Sequence, residues 1–151
     1  MLQIKKAKKE DIDKFIEVYK SAYKNIKKYA YRKDRNIKWY FKWLLKRDEN
    51  GVFIAEMNGE AIGFVACDSN WQGFYENVGE IHEIVVKDEY KGKGIGKKLI
   101  KKAEEYLKSR GHRVIELWVG EENYYAIRFY ERLGYVKGGK FGEWVRMVKN
   151  L

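Results

Sequence analysis

Apolar positions recur along this chain at two spacings, and each change of spacing marks an element boundary. Leu2 to Lys6 alternates weakly, as a strand does. After Asp11, an N-cap residue type, Ile12, Phe15, Ile16, Tyr19 and Tyr23 recur at three and four, which predicts a first helix with one buried face. A second stripe of Ile37, Tyr40, Phe41, Leu44 and Leu45 predicts a helix over residues 36–48, ending before Asn50-Gly51. Residues 52–57 and 60–68 are strand-like. Asn58-Gly59 between them suits a two-residue hairpin, whose type I′ turn takes positive φ at both positions. A polar and aromatic loop over residues 69–78 leads into a predicted strand at 79–86.

Residues 94–110 predict an amphipathic helix with Ile95, Leu99, Ile100, Ala103, Tyr106 and Leu107 inward and Gly111 as its C′ residue. Another strand follows at 114–119. Asn123 then stands as cap of a short helix carrying Ala126, Ile127, Tyr130 and Leu133 and stopped by Gly134. Residues 135–138 and 143–149 read as two strands about a Gly138-Gly139 turn. The strand, helix and strand from 79 to 119 imply a right-handed parallel crossover. The expected fold is therefore α/β (α+β), one domain over residues 1–151, with a central mixed sheet of about seven strands flanked by about four helices.

Of the 151 residues 45% are hydrophobic, enough for one packed core, and 16% are aromatic, which separates the chain from disordered segments despite its 36% of charged residues. The longest apolar run, residues 62–67, is far short of the roughly 20 residues that cross a bilayer. Residues 1–10 are too charged for a signal peptide, so a cytoplasmic protein with no membrane partner is expected. Cys67 is the single cysteine and reads as a small buried hydrophobe. His82 and His112, without a cysteine cluster, make no zinc spacing, so no metal is expected.

A net charge of +10 ordinarily points to nucleic acid or a membrane surface, but it is spread unevenly. Residues 1–50 carry 16 Lys and Arg against 7 Asp and Glu, residues 51–90 carry 1 against 8, and residues 91–151 carry 15 against 7. An acidic centre beside a basic, glycine-rich segment suggests one subsite for a cation and one for polyanionic phosphate; solvated helix faces give the same counts.

Lys91-Gly92-Lys93-Gly94-Ile95-Gly96 joins a predicted strand to a helix N-terminus, where free N–H groups and the helix dipole favour phosphate and glycines let the backbone come close. The run is not a Walker A loop, since Lys98 follows Gly96-Lys97 where Ser or Thr is needed, and it is not G-x-G-x-x-G. It resembles the signature of the GNAT family of N-acetyltransferases: Arg or Gln, two residues, Gly, one residue, Gly or Ala, with Lys91 in place of Arg or Gln. A second segment, Asn123, Ala126 and then Phe129-Tyr130-Glu131-Arg132-Leu133-Gly134-Tyr135, resembles the family's acetyl-CoA-facing helix, and the element order matches the family fold over nearly the whole chain.

The resemblance implies an acetyl-CoA-dependent N-acetyltransferase, with acetyl-CoA as co-substrate and no metal. Lys91, Gly92, Lys93, Gly94, Ile95 and Gly96 would hold the pyrophosphate. Main-chain groups of Ile84, Val85 and Val86 would hold the pantetheine arm, the N–H of Val85 or Val86 would hold the thioester oxygen, and Tyr130 would protonate the leaving sulfur. Asn123 would bond the pantetheine or cap its helix, and Tyr130 also fits a core position beside Ala126, Ile127 and Leu133. The amine needs a base. Glu83 is favoured, then Glu80, with His82 also a candidate. Strand alternation puts Glu80 and His82 on one face and Glu83 on the other, unless a bulge, frequent in the family here, removes that parity. The aromatic and basic stretch from Tyr23 to Trp43, with Tyr29, Tyr31, Trp39, Tyr40 and Phe41, corresponds to the family's acceptor region.

The acceptor partner is expected to be a protein or peptide N-terminus or lysine, attacking directly, with a polyamine or small metabolite amine as the alternative. Residues 71–76 and the acidic strand would recruit the cation, and the chain would act as monomer or homodimer. Two other classes fit parts of the sequence: a nucleic-acid-binding module using the lysines of residues 5–47 and their aromatics, and an acyl-CoA sensor without turnover.

Overall fold

The Asn58-Gly59 hairpin forms as its sequence dictates, with φ of 52° and 81° at the two residues. It joins β2 (Val52–Met57) to β3 (Glu60–Asp68). In this computed structural model, which describes residues 1–73 and 78–151, β1 (Leu2–Lys6), α1 (Ile12–Ala22) and α2 (Asp34–Arg47) precede that pair. It is followed by β4 (Val78–Val86), α3 (Ile95–Ser109), β5 (Val114–Gly120), α4 (Tyr124–Arg132), β6 (Val136–Phe141) and β7 (Trp144–Asn150). The strands form one sheet in the order β1-β2-β3-β4-β5-β7-β6. All neighbours are antiparallel except β4 and β5, which the α3 crossover makes parallel. The mixed seven-stranded sheet with four helices is the architecture expected from the sequence.

Helices cover both faces. The stripes of α3 and α4, including Leu99, Ile100, Leu107 and Ile127, pack on Val65, Ile81, Ile115 and Leu117. On the other face α1 and α2 bring Phe15, Ile37, Phe41 and Leu44 against Ile54, Phe64 and Val85. A strand covered on both sides is apolar in a continuous run rather than by alternation. That is why β3 is buried from Ala61 to Asp68.

The last hairpin differs from the expectation. Its turn lies at Gly142 (φ 60°), and Gly138-Gly139 sits inside β6, where Lys137 pairs with Met147 and Lys140 with Val145. Two residues thus oppose Arg146 alone, a bulge. The Arg146 guanidinium donates to Gly138 O (3.2 Å) and would lie 2.7 Å from any Cβ at Gly138. The glycine pair marks a bulge because an arginine crosses there.

β4 and β5 pair only from Val78↔Val114 to Ile81↔Leu117. β4 continues to Val86 and β5 to Gly120, and the two diverge over those ends. That divergence opens a cleft in the middle of the sheet.

Candidate active site

The cleft has a volume of about 860 Å³ and is lined by β4 from Glu80 to Val86, β5 from Leu117 to Gly120, the glycine loop, α4 and the α1–α2 segment. At the loop end, Gly92 (φ 77°) and Gly94 (φ 82°) take left-handed backbone that side chains avoid, with open space on their Cβ sides. Gly94 caps α3. The first amides of that helix have no intrahelical acceptor, and they sit at the positive end of its dipole. Gly96 has another reason to be glycine: a Cβ there would lie 3.1 Å from the Phe129 ring, so α3 and α4 approach closely. Ile95 turns into the core at 3% exposure, and Lys93 lays its ammonium over the Tyr90 ring (5.3 Å). Lys91, on the cleft wall, donates to Ala22 O (2.8 Å) and pairs with Asp88 (3.7 Å).

On β4, Lys87 N–H donates to Ile62 O across the β3 ladder (2.8 Å). Alternation in an antiparallel pair then directs the polar groups of Val85 to β3 and those of Ile84 and Val86 to the open side. Val85, grouped in sequence with the donor-binding strand residues, therefore has its backbone committed to the ladder and its side chain buried at 2% exposure. The Ile84 carbonyl and the polar groups of Val86 face the cleft, while the Ile84 N–H donates to the Glu83 carboxylate.

Between Ala66↔Glu83 and Cys67↔Ile81 the β3–β4 register shifts by one residue, and His82 is the extra one. This bulge removes strict alternation, so Glu80, His82 and Glu83 all turn to the α1/α2 side. Their environments differ sharply. Glu83 accepts from the Tyr40 hydroxyl (2.9 Å) and from that of Tyr23. Burial raises its carboxyl to about 7 against the pull of those two hydrogen bonds and of one from the Ile84 N–H.

Glu80 is 3% exposed and lies opposite Glu116, itself fully buried and paired with Arg146. Burial and the Glu116 carboxylate hold the Glu80 carboxyl far above the carboxylate range. The proton Glu80 retains serves a side-chain hydrogen bond to Glu116. Of the two glutamates, this environment favours Glu83 as the proton acceptor. His82 gives Nε2 to Asp68 (2.8 Å) between the edges of Trp43 and Trp71, and Asp68 also receives Arg47 Nε (2.7 Å). It is an anchored ring.

Tyr130, 7% exposed, lines the cleft from α4 with Phe129 and Tyr135 packed on its ring. Burial and the Glu83 charge push its hydroxyl above the usual phenol range, so it stays protonated. Asn123 caps α4, its Oδ1 accepting from Ala126 N (3.3 Å). Asn123→Ala is expected to cost about 1 kcal/mol of stability, seen as a lower denaturant midpoint with an unchanged slope.

The segment between α1 and α2 crosses the cleft. Tyr29 lies flat on Gly120, where a Cβ would be 2.3 Å from its ring. Its hydroxyl accepts from Glu122 N (3.0 Å), its ring meets Trp144 (5.3 Å), and Lys28 pairs with Glu122. Gly120→Val expels that ring, and with acceptor-lining groups displaced by more than 1 Å, kcat/KM for the amine is expected to drop about 10²-fold, measured alongside coenzyme A affinity. Sequence reading missed the grip of Tyr23 and Tyr40 on Glu83 and the seat of Tyr29; Gly120 closing a strand was the available signal for the second. Of the proposed cation-recruiting residues 71–76, Trp71 reaches the cleft, and 74–76 lie outside the described residues. Among the described residues no group of three His, Cys, Asp or Glu is placed to hold a metal ion, and no helix is long and apolar enough to cross a membrane.

Divergent parallel strands thus frame one cleft with a glycine-rich helix entry at one end and the half-buried Glu83 carboxyl at the other. Residues 5–135 match the Acetyltransferase (GNAT) family, and the chain belongs to it. It is 51% identical over 150 residues to an uncharacterized N-acetyltransferase of Methanocaldococcus jannaschii, covering 98% of this chain but 66% of that protein. To an uncharacterized N-acetyltransferase of Archaeoglobus fulgidus it is 53% identical over 131 residues, 85% of this chain and 89% of the relative. A Pyrococcus horikoshii crystal structure superposes with a TM-score of 0.90 at 39% identity, covering 100% of this chain and 99% of that one.

Proposed function

We propose that the protein is an acetyl-CoA-dependent N-acetyltransferase that modifies a primary amine by direct attack, with a peptide or protein N-terminus or lysine as acceptor. One observation carries the reading: Glu83, a carboxyl raised to about 7, sits in the cleft gripped by Tyr23 and Tyr40. A base poised near the working pH takes a proton from an ammonium and returns it after each turnover. The other end of the cleft fits the donor. The left-handed glycines and free amides of α3 suit a pyrophosphate, and the Ile84 carbonyl with the open-side groups of Val86 suits an amide-bearing arm.

The chain's own groups then divide the work. Glu83 makes the amine nucleophilic, and the Val86 N–H steadies the carbonyl oxygen as it gains charge. As the N–C bond forms and the C–S bond breaks, Tyr130 gives its proton to sulfur and recovers one from the nitrogen. The aromatic acceptor end, open past Tyr31 (43% exposed), leaves room for a longer chain behind the amine. A free-thiol release assay with acetyl-CoA tests this. Turnover with short peptides is the expected result; turnover only with polyamines or small amines moves the acceptor to that class, and no thiol release with either pool overturns the reading.

A further inference from the structure

Lys91 stands where the family signature carries Arg or Gln, yet its ammonium reaches the end of α1 as well as Asp88 (3.7 Å). The Ala22 carbonyl it reaches (2.8 Å) belongs to the last turn of that helix, whose carbonyls have no intrahelical donor and whose dipole favours a cation. Nearby contacts reinforce the junction: Asp88 N–H donates to Ser21 Oγ (2.9 Å), and Lys24 pairs with Asp88 (3.1 Å). The residue after Ala22 is Tyr23. Its N–H closes α1 on Tyr19 O (3.1 Å), and its hydroxyl donates to Glu83. A continuous set of contacts thus runs from the glycine loop through Lys91 and the α1 terminus to the carboxyl at the far end of the cleft.

We infer that Lys91 is a positioning residue, tying the donor loop to α1 so that filling the glycine cradle orders Tyr23 and, through it, Glu83. This rests on the acetyltransferase reading above. Glu83 is also faced by Tyr19 from α1, Tyr40 from α2, Tyr130 from α4, and His82 on its own strand with Asp68 behind it. Among these, Tyr23 follows directly on the residue that Lys91 holds. The phosphate-binding role usual for a cation in such a loop is left to the backbone amides.

Three substitutions separate the roles. Lys91→Met removes the donor and keeps the length, Lys91→Gln keeps a neutral donor, and Lys91→Arg keeps donor and charge. Coenzyme A affinity, amine kcat and KM, and the pH profile are measured for each, with thermal stability as the control for folding. With coupling energies of ordinary size, Lys91→Met is expected to bind coenzyme A within about threefold of wild type but to lose about tenfold in kcat/KM for the amine, with the acid limb of the profile displaced. Lys91→Gln and Lys91→Arg recover both. Amide exchange over residues 20–24 slows when coenzyme A is added to wild type and does not slow in Lys91→Met.

Weakened coenzyme A binding in Lys91→Met with an unmoved limb means a direct phosphate contact and overturns the inference. So does a Lys91→Met protein identical to wild type, or a Lys91→Gln protein as impaired as Lys91→Met. A wild-type chain that binds no coenzyme A removes the acetyltransferase reading and this inference together; a wild type that binds and turns over, with any of those variant results, removes this inference alone.

Discussion

Glu83→Gln is expected to lower kcat/KM for the amine by about 10²- to 10⁴-fold, the range general-base catalysis supplies, while coenzyme A still binds. Gln keeps the size and accepts a hydrogen bond from Tyr40 or Tyr23 but takes no proton. In wild type the rate should rise with pH through about 7 as the carboxyl ionises, and that limb should vanish in the variant. Stability moves the other way. A carboxyl raised from 4.5 to about 7 on folding favours the native state below the unfolded pKa, and that contribution is lost as pH rises through the folded value. Glu83→Gln should therefore melt higher than wild type at pH 8 to 9, with the gap closing towards pH 5. A variant that loses activity and also melts lower at pH 9 would make Glu83 a structural carboxyl.

Tyr130→Phe is the second large effect. It deletes one oxygen from a buried ring whose packing on Phe129 and Tyr135 is otherwise kept. kcat should fall about 10²-fold, at the low end for a positioned acid, with coenzyme A affinity unchanged. Because burial holds the hydroxyl above the usual phenol range, the proton is present at every pH where Glu83 is ionised below about 10, so wild type should show a plateau there. Single-turnover kinetics check this. An unchanged chemical rate would reduce Tyr130 to a core ring.

The parts of the site that were legible in the sequence are those written in local patterns. The α1 and α2 stripes, the Asn58-Gly59 hairpin and the glycine loop each carry their signal within a few turns of chain. Gly138-Gly139 was read as a turn because positive φ serves a turn and a bulge equally; what decides is Arg146, eight residues on and across the strand pair. The fate of Glu80 depended on Glu116, brought opposite by the α3 crossover. The fate of Glu83 depended on hydroxyls from two helices, at Tyr23 and Tyr40. Lys91 falls within the glycine run that the resemblance gives to the pyrophosphate, and nothing near it in sequence announces that its side chain reaches a helix terminus sixty-nine residues back.

The extra residue at His82 puts two consecutive polar side chains, His82 and Glu83, on one side of the sheet. Deleting His82 would restore regular alternation with Glu83 still opposite Ala66 on the α1/α2 side, while removing the imidazole held by Asp68 between Trp43 and Trp71. The one-residue insertion thus widens the chemistry of this strand rather than re-aiming it: it adds an imidazole beside a carboxyl whose facing direction the ladder already sets.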